Sequence, residues 1–222
     1  MEQLTLKGII FDMDGTLVDS ERIYTEGYRR AFESKGITIN LSEIESWSGQ
    51  NSKATLDIID QYTLDRELSK EIRLMRINYF HQALAKKEVY LHEGAMQLLQ
   101  YCKATGLRIG LATSTPKDEA TTILKQLEIY ELFDFAVFGD EVPRFKPAPD
   151  IYELALKRGN LTPSTCLAVE DSKSGILAAR NADLSVIQSI DGHVQTPYNH
   201  PEVLVQVNHL KEIETVINRL LS

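Results

Sequence analysis

The sequence predicts an α/β protein, with a Rossmann-like parallel sheet core, helices on both of its faces, and an inserted α-helical domain. Two observations support this fold class. Short apolar runs alternate with segments whose apolar residues recur at helical spacing along most of the chain. Residues 19–87 interrupt that alternation with helix-like segments only, directly after the first apolar run.

Five apolar runs rich in β-branched residues are predicted to be buried strands. They are Leu6–Phe11, Arg108–Thr113, Phe133–Phe138, Cys166–Val169 and Leu184–Ile190, with Val203–Val207 as a candidate sixth. The helix-like segments of this part are Glu93–Lys103, Pro116–Leu127, Ala148–Arg158, Ser174–Asn181 and one near Leu210–Leu221. Because strands that alternate with helices form parallel sheets, the core is predicted to be parallel.

The interrupting block is predicted to be a small helical cap domain. Its helix-like segments are Glu21–Ser34, Leu41–Trp47, Lys53–Tyr62 and Leu68–Ala85. We therefore predict that residues 1–18 and 88–222 form the α/β core and that residues 19–87 form the cap. The hinges of the cap are expected near Val18–Ser20 and near Tyr90–Glu93.

The composition is that of an ordinary globular protein. Of its 222 residues, 43% are hydrophobic and 25% are charged, and the net charge is −8. So acidic a chain, with no long basic run, has no electrostatic reason to bind nucleic acid. Cys102 and Cys166 lack the spacing of a metal site or a disulfide framework. Because we find neither a signal-peptide pattern nor an apolar run of transmembrane length, we expect a cytoplasmic protein without a membrane partner.

Polar side chains follow the predicted strands at the edge of the sheet where open α/β folds bind their ligands. The groups delivered there are Asp12 and Asp14 after the first strand, Thr113, Ser114 and Thr115 at the second, Lys146 after the third, and Glu170 and Asp171 after the fourth. Because the carboxyl ends of parallel strands lie at one edge, we expect these carboxylates, hydroxyls and the lysine to converge.

This set of groups suits phosphoryl transfer. Clustered carboxylates repel one another unless a cation or protons compensate, and oxygen ligands without His or Cys favour Mg²⁺ beside phosphate. Hydroxyls and a lysine suit the non-bridging oxygens of a phosphoryl group. A metal-compensated Asp12 can act as nucleophile, while Asp14 can give a proton to the leaving group and later activate water.

Each fragment of this pattern also has an ordinary structural explanation. The Asp12–Gly15 segment could be a turn or part of a calcium loop, although the later ligands of such a loop do not follow. Lys146 alone could be a solvated loop lysine. Thr113 with Ser114, and Glu170 with Asp171, could cap the helices that follow them. It is the order of all four segments at strand ends that favours a site.

Four segments resemble the four motifs of the haloacid dehalogenase-like superfamily. They are FDMDGTLVDSE at Phe11–Glu21, LATST at Leu111–Thr115, KPAPDIY at Lys146–Tyr152 and EDSKSG at Glu170–Gly175. The motifs occur in the order of the superfamily, and the resemblance covers nearly the whole chain. The helical insert resembles the small cap of the phosphoglucomutase and phosphoglycolate phosphatase branch.

The resemblance implies a role for each motif residue. Asp12 is implied as the nucleophile, Asp14 as the general acid/base whose carbonyl binds Mg²⁺, Thr113 and Ser114 as phosphate ligands, Lys146 as the neutralising cation, Asp171 as a metal ligand, and Glu170 as its direct or indirect partner. True haloacid dehalogenases of this superfamily lack the second aspartate and the metal. The presence of Asp14 therefore disfavours dehalogenation.

The substrate is predicted only as a small phosphorylated metabolite, of the sugar phosphate, nucleotide or phosphoglycolate type. β-Phosphoglucomutases carry a histidine where this chain has Tyr24, and a cap-loop arginine where it has Ser52. Gln50, Ser52 and Lys53 are candidate specificity residues, although Lys53 could be solvated and Tyr24 could be a packing residue. These departures favour a phosphatase over a phosphomutase, and the intact motifs disfavour a non-catalytic binding protein. We expect Mg²⁺ as cofactor and a monomer or weak dimer.

Overall fold

The computed structural model describes residues 6–47, 52–190, 201 and 203–221, with the backbone alone for residues 52 and 53. The chain divides into two compact units, a core unit formed by Met1–Val18 and Leu91–Ser222 and a helical unit formed by Asp19–Tyr90. The helical unit continues past Lys87, where the sequence places its end. The reason is that Glu88 and Tyr90 accept hydrogen bonds from the side chain of Arg22 and the backbone of Asp19, both at 3.0 Å.

The core unit contains a six-stranded sheet in the order β3-β2-β1-β4-β5-β6, and all of its neighbouring strands are parallel. The strands are β1 Gly8–Phe11, β2 Arg108–Ala112, β3 Phe135–Val137, β4 Cys166–Glu170, β5 Ser185–Ser189 and β6 Val203–Val207. The predicted α/β fold class is therefore confirmed. Every residue of β1 and of β4 is buried, as expected for central strands covered on both faces.

Five α-helices of the described core unit accompany the sheet: α5 Ala95–Ala104, α6 Lys117–Gln126, α7 Asp150–Gly159, α8 Lys173–Asn181 and α9 Glu212–Leu221. Helices α7 and α8 each bury an apolar face in one hydrophobic cluster with the sheet, which includes Ile10, Tyr152 and Ile176. Both cysteines are buried free thiols. None of the described helices is long and apolar enough to cross a membrane.

The helical unit consists, in its described part, of α1 Glu21–Ser34, α2 Leu41–Glu45, α3 Ser52–Thr63 and α4 Arg66–Ala85. Its core holds Phe32, Trp47 and Ile59 among other buried residues. The ring of Trp47 packs edge-on against Phe32, with centroids 6.0 Å apart. Because the unit has a hydrophobic cluster of its own, its stability depends on contacts within it.

Replacing Asp65 by alanine should lower the free energy of unfolding by about 1 kcal/mol, because its side chain caps the first turn of α4. The carboxylate accepts hydrogen bonds from the backbone N–H groups of Glu67 at 2.9 Å and Leu68 at 3.2 Å. Asn40 precedes α2 without a side-chain cap bond, so Asn40→Ala is the matched control. Urea unfolding monitored by the fluorescence of Trp47, the single tryptophan, measures both. Equal losses in the two variants would contradict the capping role.

Candidate active site

The register of the sheet brings the motif residues together. Phe11 at the end of β1 lies opposite Leu111 of β2 and Val169 of β4. The chain therefore leaves three adjacent strands at one level of the carboxyl edge. The polar residues that follow at this level are all buried, namely Asp12, Thr113, Glu170 and Asp171.

Lys146 lies at the centre of this group, with only 6% of its surface exposed. Its Nζ atom donates to Asp12 Oδ1 at 2.5 Å, to Glu170 Oε1 at 2.6 Å and to the backbone carbonyl oxygen of Ala112 at 3.0 Å. A lysine ammonium has three N–H donors, and all three are used within the protein. Lys146 therefore fixes one oxygen of Asp12 and one oxygen of Glu170 at the same time.

Glu170 is surrounded by protein donors. Besides Lys146, Tyr152 donates its hydroxyl to Oε1 at 2.6 Å, and Ser172 donates to Oε2 at 3.4 Å. A Cβ atom at position 175 would collide with this carboxylate, so only a glycine lets the first turn of α8 approach it. Lys146, Tyr152 and Ser172 thus hold the carboxylate of Glu170, and the first turn of α8 packs against it.

Asp171 is positioned by the loop after β1. Thr16 donates its hydroxyl to Asp171 Oδ1 at 2.9 Å. Gly15 has a φ of +78°, and a Cβ atom there would collide with the same carboxylate. Both the left-handed backbone and the close approach require glycine at this position.

Asp14 is half-buried and is held by hydroxyls from the end of β2. Thr115 donates to Asp14 Oδ2 at 2.7 Å, and Thr113 lies 3.5 Å from the same oxygen. The hydroxyl of Thr113 also accepts from the backbone N–H of Thr115 at 3.1 Å. Ser114, the other predicted phosphate ligand, is exposed beside them.

The electrostatics of the site are dominated by burial. Burial raises the pKa of Asp12 well above its ordinary value; Lys146 acts against this shift, and the neighbouring carboxylates of Glu170, Asp171 and Asp14 add to it. Burial alone would lower the pKa of Lys146, but Asp12 and Glu170 outweigh it and raise the pKa above its ordinary value. Lys146 is therefore a permanent cation that compensates only part of the negative charge around it.

A divalent cation fits this donor set. Carboxylate oxygens of Asp12, Glu170 and Asp171 all lie within 4.8 Å of one another, and all three residues are buried. When all three carboxyl groups are ionised, the single ammonium of Lys146 leaves an excess of two negative charges. Oxygen-only ligands with this charge are those that hard divalent cations prefer.

The predicted substrate residues lie in the helical unit. The ring of Tyr24 packs against Phe80, with centroids 4.8 Å apart, and the guanidinium carbon of Arg76 lies 3.8 Å from its centroid. These packing contacts account for Tyr24 without a substrate. Gln50 and the side chains of Ser52 and Lys53 lie outside the described residues, so the specificity roles of all four stay predictions.

Three contacts around the motifs are not found by sequence reasoning. Thr16 and Thr115 hold the two carboxylates Asp171 and Asp14, although in the sequence Thr115 is only one of three hydroxyls at a strand end. Tyr152 ends the third motif segment, and its ring lies in the hydrophobic core. Its hydroxyl nevertheless reaches Glu170. The only sequence signal is that each of the three residues lies within one of the four motif segments.

A comparison of the sequence with known protein families agrees with this geometry. The family model for haloacid dehalogenase-like hydrolases matches residues 9–189. The chain belongs to this family. The predicted superfamily and the predicted hydrolase class are therefore confirmed.

Relatives with stated activities cover most of the chain. It is 35% identical over 185 residues to a phosphorylated carbohydrates phosphatase of Thermotoga maritima, an alignment that spans 83% of this chain and 85% of the relative. It is 30% identical over 205 residues to the validoxylamine A 7′-phosphate phosphatase of Streptomyces hygroscopicus subsp. limoneus, over 90% and 93% of the two chains. A crystal structure of a Thermotoga maritima protein provisionally described as a β-phosphoglucomutase superposes with a TM-score of 0.76 and 30% identity, covering 96% and 99% of the chains.

Replacing Thr115 by valine should lower kcat about tenfold, because a hydrogen bond to a charged group is worth about 1.5–3 kcal/mol and here it orients Asp14. The substitution keeps the shape of the side chain and removes the hydroxyl. Thr122→Val is the matched control, since Thr122 donates at 2.8 Å to the carbonyl of Asp118 on the exposed face of α6. Steady-state hydrolysis of p-nitrophenyl phosphate measures both, and a Thr115→Val enzyme as active as the control would refute this role.

Proposed function

We propose that the protein is a Mg²⁺-dependent phosphatase that hydrolyses a small phosphomonoester through a phosphoryl group carried on Asp12. The observation that carries this proposal is the buried contact of Lys146 with Asp12 and Glu170, beside a third carboxylate at Asp171. A site with these charges is suited to a cation and to a transferred anionic group. The phosphatase relatives support the same reaction.

In the first step, Asp12 attacks the phosphorus atom of the substrate. Because Lys146 holds Oδ1 of Asp12, Oδ2 is the oxygen that forms the new O–P bond. The bond from phosphorus to the substrate oxygen breaks, and Asp14 gives that oxygen its proton, so that an alcohol leaves. Thr115 holds Oδ2 of Asp14, which leaves Oδ1 to carry the proton.

In the second step, a water molecule replaces Asp12. The Asp14 carboxylate, now without its proton, takes one from the water as the water oxygen attacks phosphorus. The bond between phosphorus and Asp12 breaks, inorganic phosphate is released, and both aspartates return to their starting states. Thr113 and Ser114, at the end of β2, are proposed as donors to the phosphoryl oxygens.

Asp12 and Asp171 are the side chains that we propose as Mg²⁺ ligands, with the carbonyl of Asp14 added by the family resemblance. When bound, Mg²⁺ neutralises charge on the phosphoryl oxygens and keeps Asp12 ionised. Glu170 is proposed as an indirect partner, because its oxygens already accept from Lys146, Tyr152 and Ser172. This assignment explains why the cluster contains one carboxylate more than the two proposed side-chain ligands.

A phosphorylated sugar is the substrate class that we propose. The supporting observation is that one relative is a phosphorylated carbohydrates phosphatase with 35% identity over 83% of this chain. The helical unit is proposed to act as a cap, with Tyr24, Gln50, Ser52 and Lys53 influencing which phosphomonoester is accepted. We further propose that the enzyme is cytoplasmic and a monomer or weak dimer.

A phosphomutase is the second candidate, favoured by the solved structure described provisionally as a β-phosphoglucomutase. A mutase shares the first step and differs in the second, because a sugar hydroxyl instead of water accepts the phosphoryl group. It must therefore protect the phosphorylated aspartate from water. Tyr24 and Ser52 stand where the mutase has the histidine and arginine of its pattern, so we place the phosphatase first.

Incubation of the enzyme with Mg²⁺ and a panel of sugar phosphates in ¹⁸O-labelled water should release inorganic phosphate that carries solvent ¹⁸O. The expected product is one phosphate for each alcohol, because water attacks phosphorus at every turnover. Mass spectrometry of the phosphate and chromatography of the sugars measure both products. Conversion of a sugar phosphate to its positional isomer, with little phosphate released, would instead identify a mutase.

Asp12→Asn is the variant that ties this reaction to the proposed nucleophile. It should lower the rate of phosphate release by several orders of magnitude, because an amide cannot form the acyl phosphate. Asp118→Asn makes the same chemical change in the exposed first turn of α6 and should leave the rate unchanged. Substantial labelled phosphate from purified Asp12→Asn would reject Asp12 as the nucleophile.

A further inference from the structure

We infer that Tyr152 is a positioning residue for this site: its hydroxyl holds Glu170 in place and thereby keeps Lys146 on Asp12. The inference deepens the proposed function, and its kinetic part rests on that function. The hydroxyl of Tyr152 donates to Glu170 and not to the proposed nucleophile Asp12. It acts through the two charged residues that separate it from the nucleophile.

The geometry places Tyr152 against both members of a buried ion pair. Its hydroxyl donates to Glu170 Oε1 at 2.6 Å, and Lys146 Nζ donates to that same oxygen at 2.6 Å. The Lys146 ammonium also lies 5.3 Å from the centroid of the Tyr152 ring, within cation–π distance. One aromatic side chain thus contacts the anion through its hydroxyl and the cation through its ring.

The surroundings of Tyr152 make this contact obligatory. The side chain is fully buried on α7 in an otherwise apolar cluster with Ile10, Ala155 and Ile176. A buried hydroxyl without a partner is costly, and the carboxylate of Glu170 supplies that partner. Burial, together with the charge of Glu170, raises the pKa of Tyr152 well above its ordinary value, so the phenol stays a donor.

The hydroxyl of Tyr152 changes how the positive charge of Lys146 is divided between Asp12 and Glu170. Lys146 carries a single positive charge and contacts two buried carboxylates, Asp12 and Glu170. A second donor on Oε1 stabilises Glu170 independently of the lysine. Without it, Glu170 competes more strongly for Lys146 and weakens the contact with Asp12. We therefore expect loss of the hydroxyl to affect the chemical step.

The same contact holds Glu170 on protein donors, although one of its oxygens lies within 4.8 Å of oxygens of Asp12 and Asp171. Oε1 accepts from Tyr152 and Lys146, and Oε2 lies 3.4 Å from the Ser172 hydroxyl, so three protein donors engage the carboxylate. Loss of the phenol should consequently change turnover more than it changes metal binding. Comparing turnover with metal binding therefore shows whether Tyr152 acts through Lys146 or through the metal.

Tyr152→Phe is the direct test, since it removes the hydroxyl and keeps the buried ring. We expect kcat to fall about tenfold, with KM and the half-saturating Mg²⁺ concentration within about twofold of the natural enzyme. Tyr101→Phe is the matched control, because Tyr101 also donates its hydroxyl at 2.6 Å, to Asn218 in the same unit. It should leave all three parameters unchanged. An unchanged kcat in Tyr152→Phe, or a parallel rise in the Mg²⁺ requirement, would overturn the inference.

A second readout does not depend on catalysis. Thermal unfolding of Tyr152→Phe should show a Tm lower by roughly 3–6 °C in the natural background, as expected for a lost bond to a charged group. In Glu170→Ala the acceptor is gone, so the same change should cause no loss. If Glu170→Ala does not fold, Glu170→Gln replaces it, and the Tm loss should then shrink by at least half. Equal losses in both backgrounds would refute the coupling.

The two readouts separate this inference from the proposed function. If the natural enzyme releases phosphate and the thermal coupling is absent, the inference fails alone. If no phosphomonoester is hydrolysed and the coupling is present, the proposed function fails while the link between Tyr152 and Glu170 stands. The kinetic and thermal measurements together therefore show whether the role of Tyr152 or the proposed phosphatase function is wrong.

Discussion

The buried ammonium of Lys146 is the constraint on which the rest of the site depends. A charge taken out of water is tolerated only where each of its donors finds an acceptor and opposite charge lies close by. Asp12 and Glu170 meet that need, and they can do so because β1 and β4 are neighbours in register. The carbonyl of Ala112, on the other neighbour of β1, takes the remaining donor. The strand order of the sheet is thus a condition for the charge arrangement.

Close packing then fixes the carboxylates around that ion pair. Gly15 and Gly175 let the backbone approach Asp171 and Glu170 at distances that a Cβ atom would prevent. Ser172 both caps α8, accepting from Gly175 N–H at 3.1 Å, and lies 3.4 Å from Glu170. Each local feature of the fold therefore also limits where a carboxylate can lie. A site fixed in this way loses little conformational freedom when a substrate binds.

The strand and motif positions could be predicted because they follow from simple periodic patterns. Apolar runs alternating with helical segments predict the parallel sheet, and polar residues at strand ends predict the convergence of Asp12, Lys146 and Asp171. The role of Tyr152 could not be predicted, because helical spacing places a ring in the core without telling where its hydroxyl points. Thr115 is similar, since its contact with Asp14 depends on the loop conformation after β2. The substrate could not be predicted either, because the helical pattern of residues 19–87 carries no substrate signal.

We propose above all that the uncompensated charge beside Lys146 is a site for one divalent cation, with Asp171 as an essential ligand. Calorimetric titration of Mg²⁺ into the substrate-free protein tests it most directly. One binding event should be observed in the natural protein and in the exposed-site control Asp118→Asn, and it should be lost in Asp171→Asn. Absence of binding in the natural protein, or unchanged binding in Asp171→Asn, would contradict the account.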